Sequence, residues 1–209
     1  LGMKQSVKHH EYYVLDKYPS NCAIITKHPT IVFCIGSGHV ANEKKYDPFA
    51  LSLKSWPTKN WIDLGNLLVE RHYEVIFIGG TMEEGMIRPY LNKLDMRVKN
   101  FIGKHSIKES LQVVREADLV VGVDTGLIHG AAIQGTPTLT LFGCTDYIVE
   151  HPFGVYSHII NSSIECSPCL GYDHSYTCTN NKCMQGISVA TVLDSILHIL
   201  RDREIERRN

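Results

Sequence analysis

The stretch Asp118-Leu-Val-Val-Gly-Val-Asp124-Thr125-Gly126-Leu127-Ile128-His129-Gly-Ala-Ala-Ile133 reads as a strand running directly into a helix. Leu119 to Val123 is a short run of apolar residues and glycine without alternation, as in a strand covered on both faces. Asp124 ends that strand, and Thr125-Gly126 open a helix over Gly126 to Ile133. The free backbone N–H groups and the positive end of the helix dipole then face outward at the strand's carboxyl end, which suits a phosphate. Gly126 lets such a group approach the backbone closely. Asp124, a carboxylate beside that anion site, is better suited to accept hydrogen bonds from sugar hydroxyls. On the competing reading Asp124 only caps the helix and His129 only packs.

The same alternation extends on both sides. Ile31-Val-Phe-Cys-Ile35 is a buried strand closed by Gly36-Ser37-Gly38, and Glu74-Val-Ile-Phe-Ile-Gly79-Gly80 is a second. Between them, Pro57 suits the first turn of a helix, where its missing N–H has no intrahelical partner to lose. Trp61, Leu64, Leu67 and Leu68 fall on one face of that helix. Glu83 to Leu94 forms a helix that Pro89 kinks or ends, 98–102 a short strand, and Ser106 with Glu109 a capping box opening a helix to Arg115. Pro137 to Phe142 and residues 156–160 are strands, and Val189 to Leu200 carries a helical apolar stripe. Such an alternation predicts an α/β fold: a Rossmann-like parallel sheet with helices on both faces, binding its ligand at the strands' carboxyl ends. Residues 1–20, polar and irregular, read as a linker or tail, and 21–209 as one domain.

Composition narrows the function. The 209 residues are 44% hydrophobic and 21% charged, with a formal net charge of −1, so nothing in the charge calls for nucleic acid. No apolar run approaches the length of a membrane span. The start, Leu1-Gly-Met3, is neither a signal peptide nor a natural N-terminus and reads as a tag remnant or a cut from a longer chain. A cytosolic location is expected.

Three further features bear on chemistry. Lys54, in Lys54-Ser55-Trp56-Pro57, would add a point charge to a diphosphate, while Trp56 reads as a packing anchor. Gly36-Ser-Gly-His-Val-Ala41 fits a dinucleotide fingerprint, but the polar, proline-broken stretch after it offers no helix opening at the glycines, which disfavours an NAD-linked oxidoreductase. Cys166, Cys169, Cys178 and Cys183, spaced C-x2-C, x8, C-x4-C, are four soft donors in a loop at 161–187. They suit structural zinc or iron, with His174 as a substitute donor; two disulfides or four free thiols are the other readings. Cys22, Cys34 and Cys144 read as small buried hydrophobes. Glu83 and Glu84 lie on the ligand side, as a solvated helix start or as sugar contacts. No serine elbow, Cys–His pair or P-loop supports nucleophilic catalysis.

Taken in order, these pieces resemble glycosyltransferase family 9, the ADP-heptose:lipopolysaccharide heptosyltransferases. The features are Gly36-Ser37-Gly38, Lys54-Ser-Trp-Pro57, Gly79-Gly80 followed by Glu, Val123-Asp-Thr-Gly-Leu-Ile-His129, Gly135-Thr-Pro-Thr138, Leu141-Phe-Gly143 with Thr145-Asp146, and the cysteine cluster leading into Met184 and Ile187-Ser188. They span about residues 30–200. The resemblance implies the C-terminal, donor-binding half of a GT-B fold. It also implies transfer of heptose from ADP-heptose to a lipopolysaccharide-core sugar, with inversion and no metal in the chemistry. Its donor site would gather Ser37, Gly38, Lys54, Glu84, Asp124, Thr125, Gly126, Leu127 and His129. Lys54, Thr125 and Gly126 would hold the diphosphate, Asp124, with Glu84 and His129, the heptose, and the backbone of Ile102-Gly103-Lys104 would border the adenine. The general base and acceptor contacts would come from an N-terminal domain absent here, and the enzyme would work in the cytoplasm, at the inner face of the inner membrane. Two departures are visible: a long segment between the glycine turn and Lys54, and Ser55 where the family carries a basic residue. A stand-alone nucleotide-sugar-binding module and a heptosyltransferase acting on protein are the alternatives.

Overall fold

The computed structural model describes residues 28–36, 53–169, 178 and 180–206. Six strands, β1 (Thr30–Cys34), β2 (Glu74–Ile78), β3 (Lys99–Asn100), β4 (Leu119–Val123), β5 (Thr138–Phe142) and β6 (Ser157–Asn161), form one sheet in the order β3-β2-β1-β4-β5-β6. Every pairing is parallel. The chain builds outward from β1 to β3, then returns to lay β4 against the other side of β1, pairing Ile31 with Leu119 and Phe33 with Val121. The strand order therefore reverses between β1 and β4, and the crevice above that switch point is where such sheets take ligands.

Helices cover both faces, as the unbroken apolar strands require. On one face α1 (Thr58–Glu70) and α7 (Val189–Glu206) pack over Ile31, Phe33, Val75, Phe77, Val121 and Leu139. Phe33 sits 5.2 Å, centroid to centroid, from both Trp61 and Phe77. On the other face α3 (Ile107–Arg115) and α4 (Gly126–Ile133) cover Val32, Cys34, Ile76, Ile78 and Val120. The remaining helices, α2 (Thr81–Ile87), α5 (Tyr147–Glu150) and α6 (Lys182–Gln185), are short.

Several local expectations shift by a residue or two. Pro57 stands at the N-cap of α1, one position before the first turn. Pro89 does not kink a continuing helix: α2 stops at Ile87, and Arg88–Lys93 is a 3-10 segment with the proline near its start. The predicted strand at 98–102 is regular only over Lys99 and Asn100, although the N–H groups of Phe101 and Gly103 still donate to the Phe77 and Gly79 carbonyls. The capping box is present in full, with Ser106 accepting from the Glu109 N–H and the Glu109 carboxylate accepting from the Ser106 N–H.

Candidate functional site

The loops that follow β1 and β4 lie side by side, and Asp124 is their focal group. It is 8% exposed, and each of its oxygens is engaged. Lys54 Nζ donates to Oδ2 at 2.8 Å, and His129 Nε2 lies 3.2 Å from Oδ1. Lys54 and Asp124 are 70 residues apart in the chain, so the fold and not the local sequence brings them together. His129 reaches Asp124 because both flank the first turns of α4. It touches the carboxylate and is half-buried beside it.

Capping of α4 falls to Thr125, whose hydroxyl accepts from the Leu127 N–H at 3.1 Å. That removes the reading in which Asp124 is only a helix cap. Gly126 is exposed, and among the described residues a Cβ built on it would meet nothing within 4 Å. The first turn of α4 presents its positive dipole end and the exposed Gly126 on this side, while the N–H groups of Leu127, Ile128 and His129 are taken up by the Thr125 hydroxyl and carbonyl.

The two glutamates occupy separate places. Glu83 is half-buried, and its carboxylate lies where a Cβ at Gly36 would stand, so the glycine lets this side chain rest against the β1 turn. A negative charge there opposes a pyrophosphate seated on the Gly36 turn, as a dinucleotide fingerprint would need. Glu84 lies over Gly103, whose φ of 72° and lack of a side chain both accommodate it. Gly103 follows β3, three strand spacings from β4 or about 14 Å, so Glu84 is not gathered with Asp124; it sits beside the Ile102-Gly103-Lys104 backbone. Ser37 and Gly38 lie outside the described residues.

Among the described residues no three Cys, His, Asp or Glu side chains are arranged to hold a metal ion. Cys166 is exposed while Cys169 and Cys183 are buried, and none of Cys166, Cys169, Cys178 and Cys183 is in a disulfide. They nonetheless share one neighbourhood. Burial, then the charges of Cys178 and Cys166, push the Cys169 thiol up, and Cys183 is pushed up by burial and by the other three. His174 and Cys22 lie outside the described residues.

Comparison with known proteins agrees with this architecture. Residues 15–180 match the family model described as glycosyltransferase family 9 (heptosyltransferase). The chain belongs to glycosyltransferase family 9. This family 9 chain is 24% identical over 160 residues to lipooligosaccharide heptosyltransferase 2 of Campylobacter jejuni, covering 74% of itself and 49% of that protein. In fold it is similar to Escherichia coli ADP-heptose lipopolysaccharide heptosyltransferase II, with a TM-score of 0.68 at 20% identity over 86% of this chain and 49% of that one. It is also similar to the iron-containing dodecameric glycosyltransferase TibC of enterotoxigenic E. coli, with a TM-score of 0.59 at 16% identity over 87% and 48%. The family 9 chain thus spans about half the length of the relatives it matches, and its sheet is one Rossmann-like half of a GT-B fold.

Sequence reasoning had no means of finding two groups. Asn181 and Gln185, whose contacts reach the Lys54 segment, sit in polar sequence with no motif of their own.

Proposed function

We propose that this chain is the donor-binding half of a heptosyltransferase that moves heptose from ADP-heptose to a lipopolysaccharide-core sugar. The observation that carries this reading is the Lys54–Asp124–His129 group set against the open N-terminus of α4. A cation, a helix dipole and an oriented carboxylate form a site with one end for phosphate and one for hydroxyls. Lys54 and the Thr125–Gly126 backbone take the diphosphate, with Leu127 continuing the same turn. Asp124, held by His129, accepts from the sugar, and Glu84 beside Gly103 faces the nucleoside end.

The chemistry follows from these roles. As the acceptor oxygen bonds to the anomeric carbon, the bond from that carbon to the β-phosphate oxygen breaks and ADP leaves with the electron pair. Lys54 and the α4 dipole stabilise the charge that builds on the leaving diphosphate. The acceptor's proton goes to a base supplied by the other half of the enzyme. The four cysteines Cys166, Cys169, Cys178 and Cys183 would hold structural zinc or iron. TibC, a structural neighbour, is iron-containing. Such an ion would fix the loop and take no part in transfer. Among the described residues no helix is long and apolar enough to cross a membrane. In line with a donor made as a soluble nucleotide sugar, the enzyme would work in the cytoplasm, reaching its acceptor at the membrane's inner face.

Calorimetric titration of the chain with ADP-heptose, ADP, UDP and NADH tests the reading. The ADP ligands should bind in preference to the others. Lys54→Ala should weaken both, and Asp124→Ala should weaken ADP-heptose more than ADP. Binding of NADH alone would replace this reading with a dinucleotide site.

A further inference from the structure

The backbone that carries Lys54 is held by the residues on either side of it. Leu53 is buried with Cys144 and Cys169, and Cys178 packs against that group. The Ser55 carbonyl accepts from Asn181 Nδ2 at 2.9 Å, across 126 residues of sequence. Trp56, fully buried, donates from its indole Nε1 to the Ile187 carbonyl at 2.9 Å and packs edge-on against Trp61 at 4.8 Å. Three of the four consecutive residues 53–56 are therefore pinned to the cysteine-rich loop or to the segment leaving it, and the fourth, Lys54, points at Asp124.

The contact through Asn181 is itself oriented. Gln185 Nε2 donates to Asn181 Oδ1 at 3.0 Å, which fixes the amide so that its Nδ2 faces Ser55. Gln185 also donates to Asn180 Oδ1 at 2.6 Å. The loop is tied down at its other end, where the Cys169 N–H donates to the Cys144 carbonyl at 2.9 Å and the Ser167 hydroxyl to the Gly143 carbonyl. Both Gly143 and Cys144 directly follow β5, so the loop bridges the sheet's ligand edge to the Lys54 segment.

We infer that Asn181, oriented by Gln185, is a positioning residue for Lys54, and that the segment leaving the cysteine-rich loop thereby sets the affinity of this site for a diphosphate. The inference rests on the assignment of Lys54 to the diphosphate. A flexible lysine stem loses affinity when its backbone anchor wanders, because the ion pair must then be ordered at the moment of binding. Asn181 touches no ligand; it acts through Ser55 on Lys54.

The test is a double-mutant cycle read by calorimetry with ADP and adenosine on the full chain: wild type, Lys54→Ala, Asn181→Ala, the double variant, and Gln185→Ala. Thermal melts of each accompany the titrations. Lys54→Ala should weaken ADP about tenfold or more, and Asn181→Ala about threefold to tenfold, the range of one lost hydrogen bond. Neither should move adenosine, which lacks the diphosphate, whereas general loosening of the fold would weaken both ligands. Asn181→Ala should add nothing once Lys54 is gone, since both act on one interaction. Gln185 is exposed, and Gln185→Ala should follow Asn181→Ala by a smaller factor without loss of folding. ADP affinity lost in Lys54→Ala but unchanged in Asn181→Ala and Gln185→Ala overturns the positioning role alone, as does full additivity in the double variant. ADP affinity unchanged in Lys54→Ala overturns the diphosphate assignment and the positioning role with it.

Discussion

Asp124 is the residue at which the site's electrostatics are decided. Its carboxylate is 8% exposed, and Lys54, whose side chain is 24% exposed, provides its close cation at 2.8 Å. Removing one partner of a well-buried ion pair costs about 3–5 kcal/mol, because the remaining charge stays desolvated. Exposure of Lys54 reduces that figure, since water can partly replace the ammonium. Lys54→Met, which keeps the aliphatic stem, should therefore cost about 2 kcal/mol in urea unfolding. Asp124→Asn in the same background should recover part of the loss, since it removes the stranded charge. If Lys54→Met unfolds at the wild-type midpoint, the pair contributes nothing to the empty site and serves binding only. None of this pairing was legible from the residues singly. The sequence marks Asp124 and Lys54 separately as suited to a sugar phosphate, but only the return of β4 to the side of β1 makes them partners.

At the scale of elements, legibility follows how local each cause is. Gly126 to Ile133 could be bounded from sequence because a strand end at Asp124 and the Thr125-Gly126 pair mark its start within three residues. The Ser106–Glu109 capping box was equally readable, since both partners lie in one turn. The short helices Tyr147–Glu150 and Lys182–Gln185 were not, because four residues are too few to display a helical period. α3 offers a test of the local reasoning. The Ser106 hydroxyl and then its backbone N–H hold the Glu109 carboxyl below the usual carboxylate range. A depressed folded pKa stabilises the native state above the unfolded pKa, and that contribution fades as pH falls through the folded one. Ser106→Ala should cost about 1 kcal/mol near neutral pH by loss of the cap. The gap from wild type should narrow as the solution is acidified into the range where Glu109 protonates. Parallel denaturation curves from pH 7 down to pH 3 would show it, and a constant gap would mean that the hydroxyl caps without engaging the carboxylate.

Across the whole molecule, the cysteines divide by environment in a way that labelling can follow. Cys34 lies in the middle of the sheet, 2% exposed, and burial pushes its thiol well above the usual range. Cys144 stands at the end of β5 under Leu53, and burial, then the neighbouring Cys183 and Cys169, push it up to about 12. Cys166 is exposed at the start of the cysteine-rich loop. Since the thiolate is the reactive form, Cys166 should be modified first in the native chain. Cys34 and Cys144 should remain slow from pH 7 to pH 9, since burial holds both as thiols. Those two differ in what frees them. Cys34 can react only when the sheet itself opens, so its labelling rate reports global unfolding. Cys144 is covered by Leu53 and Cys169, so detachment of the cysteine-rich loop exposes it without unfolding the sheet. Mass-spectrometric mapping of a labelling time course should therefore place Cys144 before Cys34. If the two are modified together at every denaturant concentration, loop and sheet open as one unit. The Lys54 segment then owes its position to the whole fold and not to a separable clasp.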